Sequence, residues 1–300
     1  MEGLVRFSFY LFAGGSMAII ASAIAYIIYA VGRLRVRKAQ LSTGTGQTIS
    51  TSSLHAEEGP IGFARWGTML ALLGGIAMGG AILARWGAAD HFPLSNMYEY
   101  SMMFTFWVCM LHLIFERMYK VRQLGAIVMT IAALMTLYIW SLPADMREVS
   151  QVMPALQANN IMAFHVGSFT LAYATFAISF GAAILYLIAE RRTVNWLPSA
   201  EMLDDVGFRA VTIGFPLFTL GLILGSVWAH DAWGVYWQWD PKETAALFTW
   251  LVYAVYLHTR TLRGWMGRRS AYVLLFGFAA TIFTYYGNYF FGGLHAYGGV

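Results

Sequence analysis

The chain has 300 residues, 59% of them hydrophobic and only 11% charged, with a formal net charge of +4. An ordinary soluble domain carries about a quarter charged residues, so that class is excluded. The small positive balance gives no case for nucleic-acid binding, because a solvated face toward anionic lipid accounts for it.

Apolar runs near the ~20 residues that cross a bilayer core follow one another along the chain. The first, Phe7–Val31, is too long for a signal peptide and lacks a small-residue cleavage site, so it reads as a retained helix. A polar stretch at 39–62, containing LSTGTGQTISTSS, reads as a flexible cytoplasmic linker. The second run, Trp66–Trp86, carries Gly74, Gly75, Gly79 and Gly80 as overlapping small-xxx-small pairs. Such pairs mark close helix packing, either within this chain or against another subunit.

Next comes the segment DHFPLSNMYEY, Asp90–Tyr100, turn-prone at Pro93 and Ser95-Asn96, ahead of the third run, Met97–Phe115. That run holds the single Cys109, which without a second thiol reads as buried and inert. The fourth run is Leu124–Leu142, and the loop to Asn160 has Pro143 and Pro154 with a short surface helix expected between them. Ile161–Ala189 is the fifth run, and the segment Thr193–Val206 after it is expected to lie along the membrane interface. Gly207–Ala229, Thr244–Thr259 and Ala271–Phe291 complete the set. The fold class expected is all-α: a polytopic transmembrane helical bundle of about eight helices forming a single integral membrane domain over 1–300. No internal repeat suggests a transporter of inverted halves.

Fifteen of the nineteen Lys and Arg fall on one side of these spans. They are Arg33, Arg35, Arg37, Lys38 and Arg65, then Arg117, Lys120 and Arg122, then Arg191, Arg192 and Arg209, and last Arg260, Arg263, Arg268 and Arg269. Arg6, Arg85, Arg147 and Lys242 are on the other. The positive-inside rule then puts both termini and the segment 228–243 on the outer, periplasmic side.

That segment, WAHDAWGVYWQWDPKE, is the most informative in the chain. Four of the eleven tryptophans (Trp228, Trp233, Trp237, Trp239) and Tyr236 crowd into it. An interfacial belt would spread its aromatics over all helix ends, whereas dense aromatics offer stacking faces to a large planar ligand. Its end also has a structural reading: Asp240 at the N-cap, Pro241 next and Glu243 third make a capping-box start for the seventh helix.

Two histidines share the depth of this segment: His165, near the outer end of the fifth helix, and His295, in the glycine-rich tail FGGLHAYGG. Each alone reads as a satisfied polar residue, but two converging on an aromatic platform would bracket a haem iron as axial ligands. Glycines around His295 allow close backbone approach to a macrocycle. His258 lies about 22 Å deeper along the seventh helix. It reads either as an intramembrane functional group or as a side chain snorkelling to the inner headgroups beside Arg260. His55 and His112 have no evident partner in sequence.

The segments PLSNMYE (Pro93–Glu99), AFHVGSF, WAHDAWGVYWQWDPKET, YLHTR and GGLHAYG together resemble the WWD-domain family of haem-handling proteins, and within it the CcsA/ResC group of the System II cytochrome c synthases. The PKET continuation and the helix count favour System II over the System I haem proteins. The resemblance implies cytochrome c biogenesis, a holocytochrome c synthase subunit of haem-lyase type in the bacterial plasma membrane, ahead of the thylakoid membrane. It implies haem b bound at the outer site by His165 and His295, beneath an aromatic segment comprising Trp228, Trp233, Gly234, Tyr236, Trp237, Trp239 and Asp240. His258 corresponds to an inner haem ligand whose second ligand comes from a CcsB/ResB subunit. Apocytochrome c would bring its CxxCH segment to the outer site for thioether attachment. A System I-type haem delivery protein, or a respiratory membrane b-type haem electron carrier, is the alternative.

Overall fold

The computed structural model describes residues 2–42, 51–89, 91–149, 154–157, 160–191, 197–287 and 292–295, without the side chains of 33–42, 51–61, 154 and 157. Asp90, Arg192 and Trp196 lie outside the described residues, as do the side chains of His55, Arg33, Arg35, Arg37 and Lys38.

Each apolar run falls on its own helix, the eighth as far as Tyr286 with 288–291 outside the described residues: α1 (Glu2–Ser42), α2 (Thr51–Ala88), α3 (Met97–Tyr119), α4 (Gly125–Ser141), α5 (Ile161–Arg191), α6 (Ala200–Trp233), α7 (Pro241–Leu262) and α8 (Arg268–Tyr286). No strand occurs among the described residues. Five of the helices, α1, α2, α4, α5 and α6, contain stretches long and apolar enough to cross a membrane. The other three are less apolar for a chemical reason: α3 carries Glu99, His112 and Glu116, α7 is rich in Thr and Tyr with Trp250, and α8 carries Thr and Tyr. Those side chains bury readily once their polar tips are paired.

Helix α1 packs on α2 and α4, and α2 and α4 both pack on α3. In the second half α5 packs on α6 and α8, and α7 closes against α8 and α6. The α3–α5 contact joins the halves. Its neighbourhood is aromatic and tightly bonded: Tyr100 and Tyr285 lie 5.0 Å apart, and the Ser101 and Tyr285 hydroxyls are 2.5 Å apart. Phe176 of α5 stacks on Tyr253 of α7 at 3.7 Å. Around this core, large apolar side chains such as Met17, Leu73, Leu134 and Ile223 are exposed, a surface suited to lipid.

The glycine pairs of α2 pack within the chain. A Cβ on Gly74 would sit 2.5 Å from Ile19 of α1, and one on Gly79 would sit 2.9 Å from Phe106 of α3. Both faces of α2 are therefore used internally, as small residues permit.

Helix runs into both ends of the stretch expected to be a linker, to Ser42 and from Thr51, while 43–50 lie outside the described residues. Extension of an existing helix costs little per residue, and Ala39, Gln40 and Leu41 are good helix formers. Of the segment expected along the interface, residues 197–206 are described. Leu197 and Leu203 are buried, and Ser199 caps α6 by accepting the Met202 N–H at 3.2 Å. Between Pro143 and Pro154 the described residues form one 3-10 turn, Ala144–Arg147, where a short surface helix is expected.

Candidate functional site

The aromatic segment begins on α6 and ends on α7, and each boundary has a local cause. Gly234 ends α6 in the left-handed conformation, φ 80°, with its N–H donating to the His230 carbonyl, a conformation glycine takes without cost. At the other end Asp240 caps α7 by accepting the Lys242 N–H at 2.8 Å. Glu243 reaches back to accept the N–H groups of Asp240, at 3.2 Å, and of Gln238, at 2.9 Å. The expected capping box is present. The five residues between are thus clamped from both sides, and Ser226 adds a bond to the Tyr236 carbonyl at 2.9 Å.

A cavity opens beneath this loop, with about 1100 Å³ of space counting the part open to the surroundings. His165, Trp228, Tyr236, Trp237, Lys242 and His295 line it, with Ser95, Asn96 and Tyr100 across from them. Residues separated by most of the second half of the chain therefore converge on one space.

Both histidines are oriented by a bond on the same ring nitrogen. His165 Nδ1 is 2.7 Å from the Gly221 carbonyl of α6, which can only accept, so Nδ1 donates. His295 Nδ1 donates to Asp240 Oδ1 at 3.0 Å. A neutral imidazole that donates from Nδ1 carries its lone pair at Nε2, the arrangement found at metal-ligating histidines. The approach of His165 to α6 requires glycine: a Cβ on Gly225 would lie 2.3 Å from the imidazole Cε1. Gly293, at φ +121°, lets the tail pass Asp240, where a Cβ would meet Oδ2 at 2.4 Å.

Trp228 is buried at the centre. Its ring lies parallel to His165 with centroids 6.1 Å apart, and 6.1 Å from His295. Its indole N–H donates to the Ala155 carbonyl at 3.1 Å. Trp233 backs this pair, edge-on to Trp228 at 4.8 Å and to His295 at 5.0 Å, and does not line the cavity. Trp239 is 69% exposed and outside the lining, with an edge-on contact to Trp237 at 5.7 Å. Asp240 is buried behind His295, where it also accepts the Leu294 N–H at 2.8 Å. Burial alone would raise its carboxyl, but the bonds from His295 and from the Lys242 and Leu294 backbones outweigh that and hold it down to about 2. Lys242 also precedes the apolar part of α7, which starts at Thr244. Burial pushes its ammonium down to about 8, opposed by Asp240.

His258 lies at the opposite end of α7, exposed on a face shared with Leu251, Val255 and Leu262. Arg260 does not accompany it: the guanidinium turns inward to pair with the buried Asp204. His230 stacks on Tyr236 at 4.4 Å.

Two clusters escaped the sequence reading. Arg85 and Glu99, both nearly fully buried, form an ion pair at 2.5 Å. Glu99 also accepts from the Ser95 N–H and hydroxyl, each at 2.7 Å, and Arg85 donates to the carbonyls of Arg147 and Glu148. Together they hold the cavity rim at Ser95-Asn96 against the loop after α4. The signal available was an Arg closing one apolar helix and a Glu opening the next. His112 in turn is paired: its Nε2 is 3.3 Å from Glu116, one turn on, and 3.1 Å from the Tyr26 hydroxyl. The four-residue spacing of His112 and Glu116 was the missed cue.

Comparison with known proteins places this arrangement in context. The family model described as Cytochrome C assembly protein matches residues 94–295, from the cavity rim to His295. The cytochrome c biogenesis protein CcsA of Chlamydomonas reinhardtii is 41% identical over 230 residues, covering 72% of this chain, which spans only 64% of that relative. The CcsA of Mesostigma viride is 36% identical over 264 residues, 78% of this chain and 86% of its own length. That of a Synechococcus strain is 36% identical over 279 residues, 72% and 80%. Among solved structures, the cytochrome c heme lyase CcmF superposes with a TM-score of 0.57 at 17% identity, over 90% of this chain and 46% of its own. That likeness concerns the fold.

Proposed function

Because this chain belongs to the cytochrome c assembly protein family, we propose that it acts in cytochrome c biogenesis by binding haem b in the cavity and presenting it for attachment to apocytochrome c. The observation that carries this reading is the pair His165 and His295. They line one cavity, and each has its Nδ1 bonded to an acceptor, the arrangement in which a neutral imidazole carries its lone pair at Nε2.

In this reading His165 and His295 would hold the haem iron. Trp228, Tyr236 and Trp237 supply flat walls, each worth about 0.5–1.5 kcal/mol beyond burial. Trp233 and Asp240 act from behind, bracing Trp228 and His295. Trp239 stands outside the lining and has no wall role in the present conformation. The haem would supply its two vinyl groups, and the substrate's CxxCH segment would enter beside His165 and His295. Each cysteine sulfur would then bond a vinyl carbon, its proton passing to the neighbouring vinyl carbon, with no net oxidation. No side chain of this protein forms a covalent bond; its contribution is proximity and orientation. Asymmetry of the basic residues supports an outer, periplasmic position for the loop and both termini in a plasma membrane. A CcsB/ResB subunit facing the exposed stripe around His258 would complete an inner haem site and make the pair a synthase.

The test is spectroscopic. The purified protein should yield a b-type pyridine haemochrome and a low-spin, two-histidine absorption spectrum. His165→Ala and His295→Ala should each abolish that spectrum, and an unchanged spectrum in either would sink the assignment.

A further inference from the structure

Lys242 is the lone Lys or Arg among the described residues lining the cavity. It lies within electrostatic reach of His165. Both neighbouring carboxylates are committed elsewhere: Asp240 accepts from His295 and from the Leu294 and Lys242 backbones, and Glu243 accepts from the Gln238 and Asp240 backbones. The Lys242 ammonium itself makes no ion pair or hydrogen bond among the described residues. A half-buried cation without a bonded counter-ion is costly.

The wall around it is apolar and aromatic, so the complementary ligand is a flat hydrophobic molecule with an acidic edge. Resting on the haem reading above, we propose that Lys242 is a specificity-determining residue that binds a carboxylate on the rim of the porphyrin and so fixes its rotation in the cavity. Rotation matters because the iron can be ligated with the ring turned at any angle, whereas only one angle presents the vinyl groups to an incoming thiol pair. A single charge at the edge, set beside a four-fold core, breaks that degeneracy.

The test compares haemin with haemin dimethyl ester, whose carboxylates are capped, in titrations of the full-length chain in detergent. Charge-assisted hydrogen bonds are worth about 1.5–3 kcal/mol, which corresponds to about ten- to a hundredfold in affinity. Wild type should prefer haemin by about tenfold or more. Lys242→Gln should lose that preference while keeping its affinity for the ester, and Lys242→Arg should retain most of it. Equal binding of the two porphyrins by wild type overturns the inference and leaves the haem reading standing. Equal loss of both porphyrins in Lys242→Gln also overturns it, by making the lysine structural. Failure of wild type to bind either porphyrin overturns the haem reading, and this inference with it.

Discussion

Asp240 and His295 are bound to each other at 3.0 Å, Oδ1 to Nδ1, by the same carboxylate that caps α7 through the Lys242 N–H. One side chain therefore starts a helix and orients a candidate iron ligand 55 residues later in the chain. Asparagine caps a helix as well as aspartate does but brings no negative charge to the imidazole. Asp240→Asn should keep the fold and lower haem affinity by about ten- to a hundredfold, the usual cost of losing a ligand-orienting carboxylate. Wild-type affinity in that variant, measured by haemin titration, would rule out the orienting role.

The same carboxylate sets an acid limb to stability. Its folded value, about 2, lies below the ~3.9 of an unfolded aspartate, so on acidification the unfolded chain takes up the proton first. This contribution is fully present above about pH 4 and is lost as pH falls toward 2. Stability measured by tryptophan-fluorescence unfolding should therefore fall more steeply between pH 5 and 2 for wild type than for Asp240→Asn. Parallel curves would contradict it.

Gly225 makes room for His165. Gly225→Ala puts a methyl 2.3 Å from the imidazole, which must tilt away and strain its bond to the Gly221 carbonyl. Haem occupancy should drop by about tenfold or more, as with other second-layer lesions. Gly167→Ala, on the same helix as His165 but with nothing within 4 Å of its added carbon, should bind haem like wild type. Equal occupancy in the two variants would show that the close approach is unimportant.

The Arg85–Glu99 pair is buried at both ends. Removing one partner strands a buried charge at a cost of about 3–5 kcal/mol, whereas replacing both by apolar residues costs far less. Arg85→Met should lower the Tm sharply, and Arg85→Met with Glu99→Met should recover part of the loss. No recovery in the double variant would mean that the bonds to Ser95 and to the loop carbonyls, rather than the pair, carry the stability.

His258 faces outward from α7, and in the proposed reading its role depends on a partner subunit. His258→Ala co-expressed with a CcsB/ResB subunit should reduce haem at the His165–His295 site. Normal loading of that site would exclude an inner haem stage.

The sequence by itself determined the elements that obey short-range rules. Eight helices follow from eight apolar runs, because a backbone in lipid must satisfy its hydrogen bonds within the segment. The WDPKE cap was equally legible, since a capping box is written in four consecutive residues. So were His165 and His295 as the candidates to watch, once the runs set their depth. What only the tertiary structure decided is which groups meet across helices. The tryptophans read as one platform divide by direction: Trp228 and Trp237 line the cavity, Trp233 packs behind, and Trp239 points out. Spacing along a loop does not encode which way a ring turns when the backbone leaves the helix, as the left-handed turns at Gly234 and Trp239 show. Likewise the acceptors at Gly221 and Asp240, the notch at Gly225 and the uncompensated charge of Lys242 depend on packing between segments far apart in the chain. Such contacts are fixed by the shape of the assembled bundle, and no local pattern of residues carries that information.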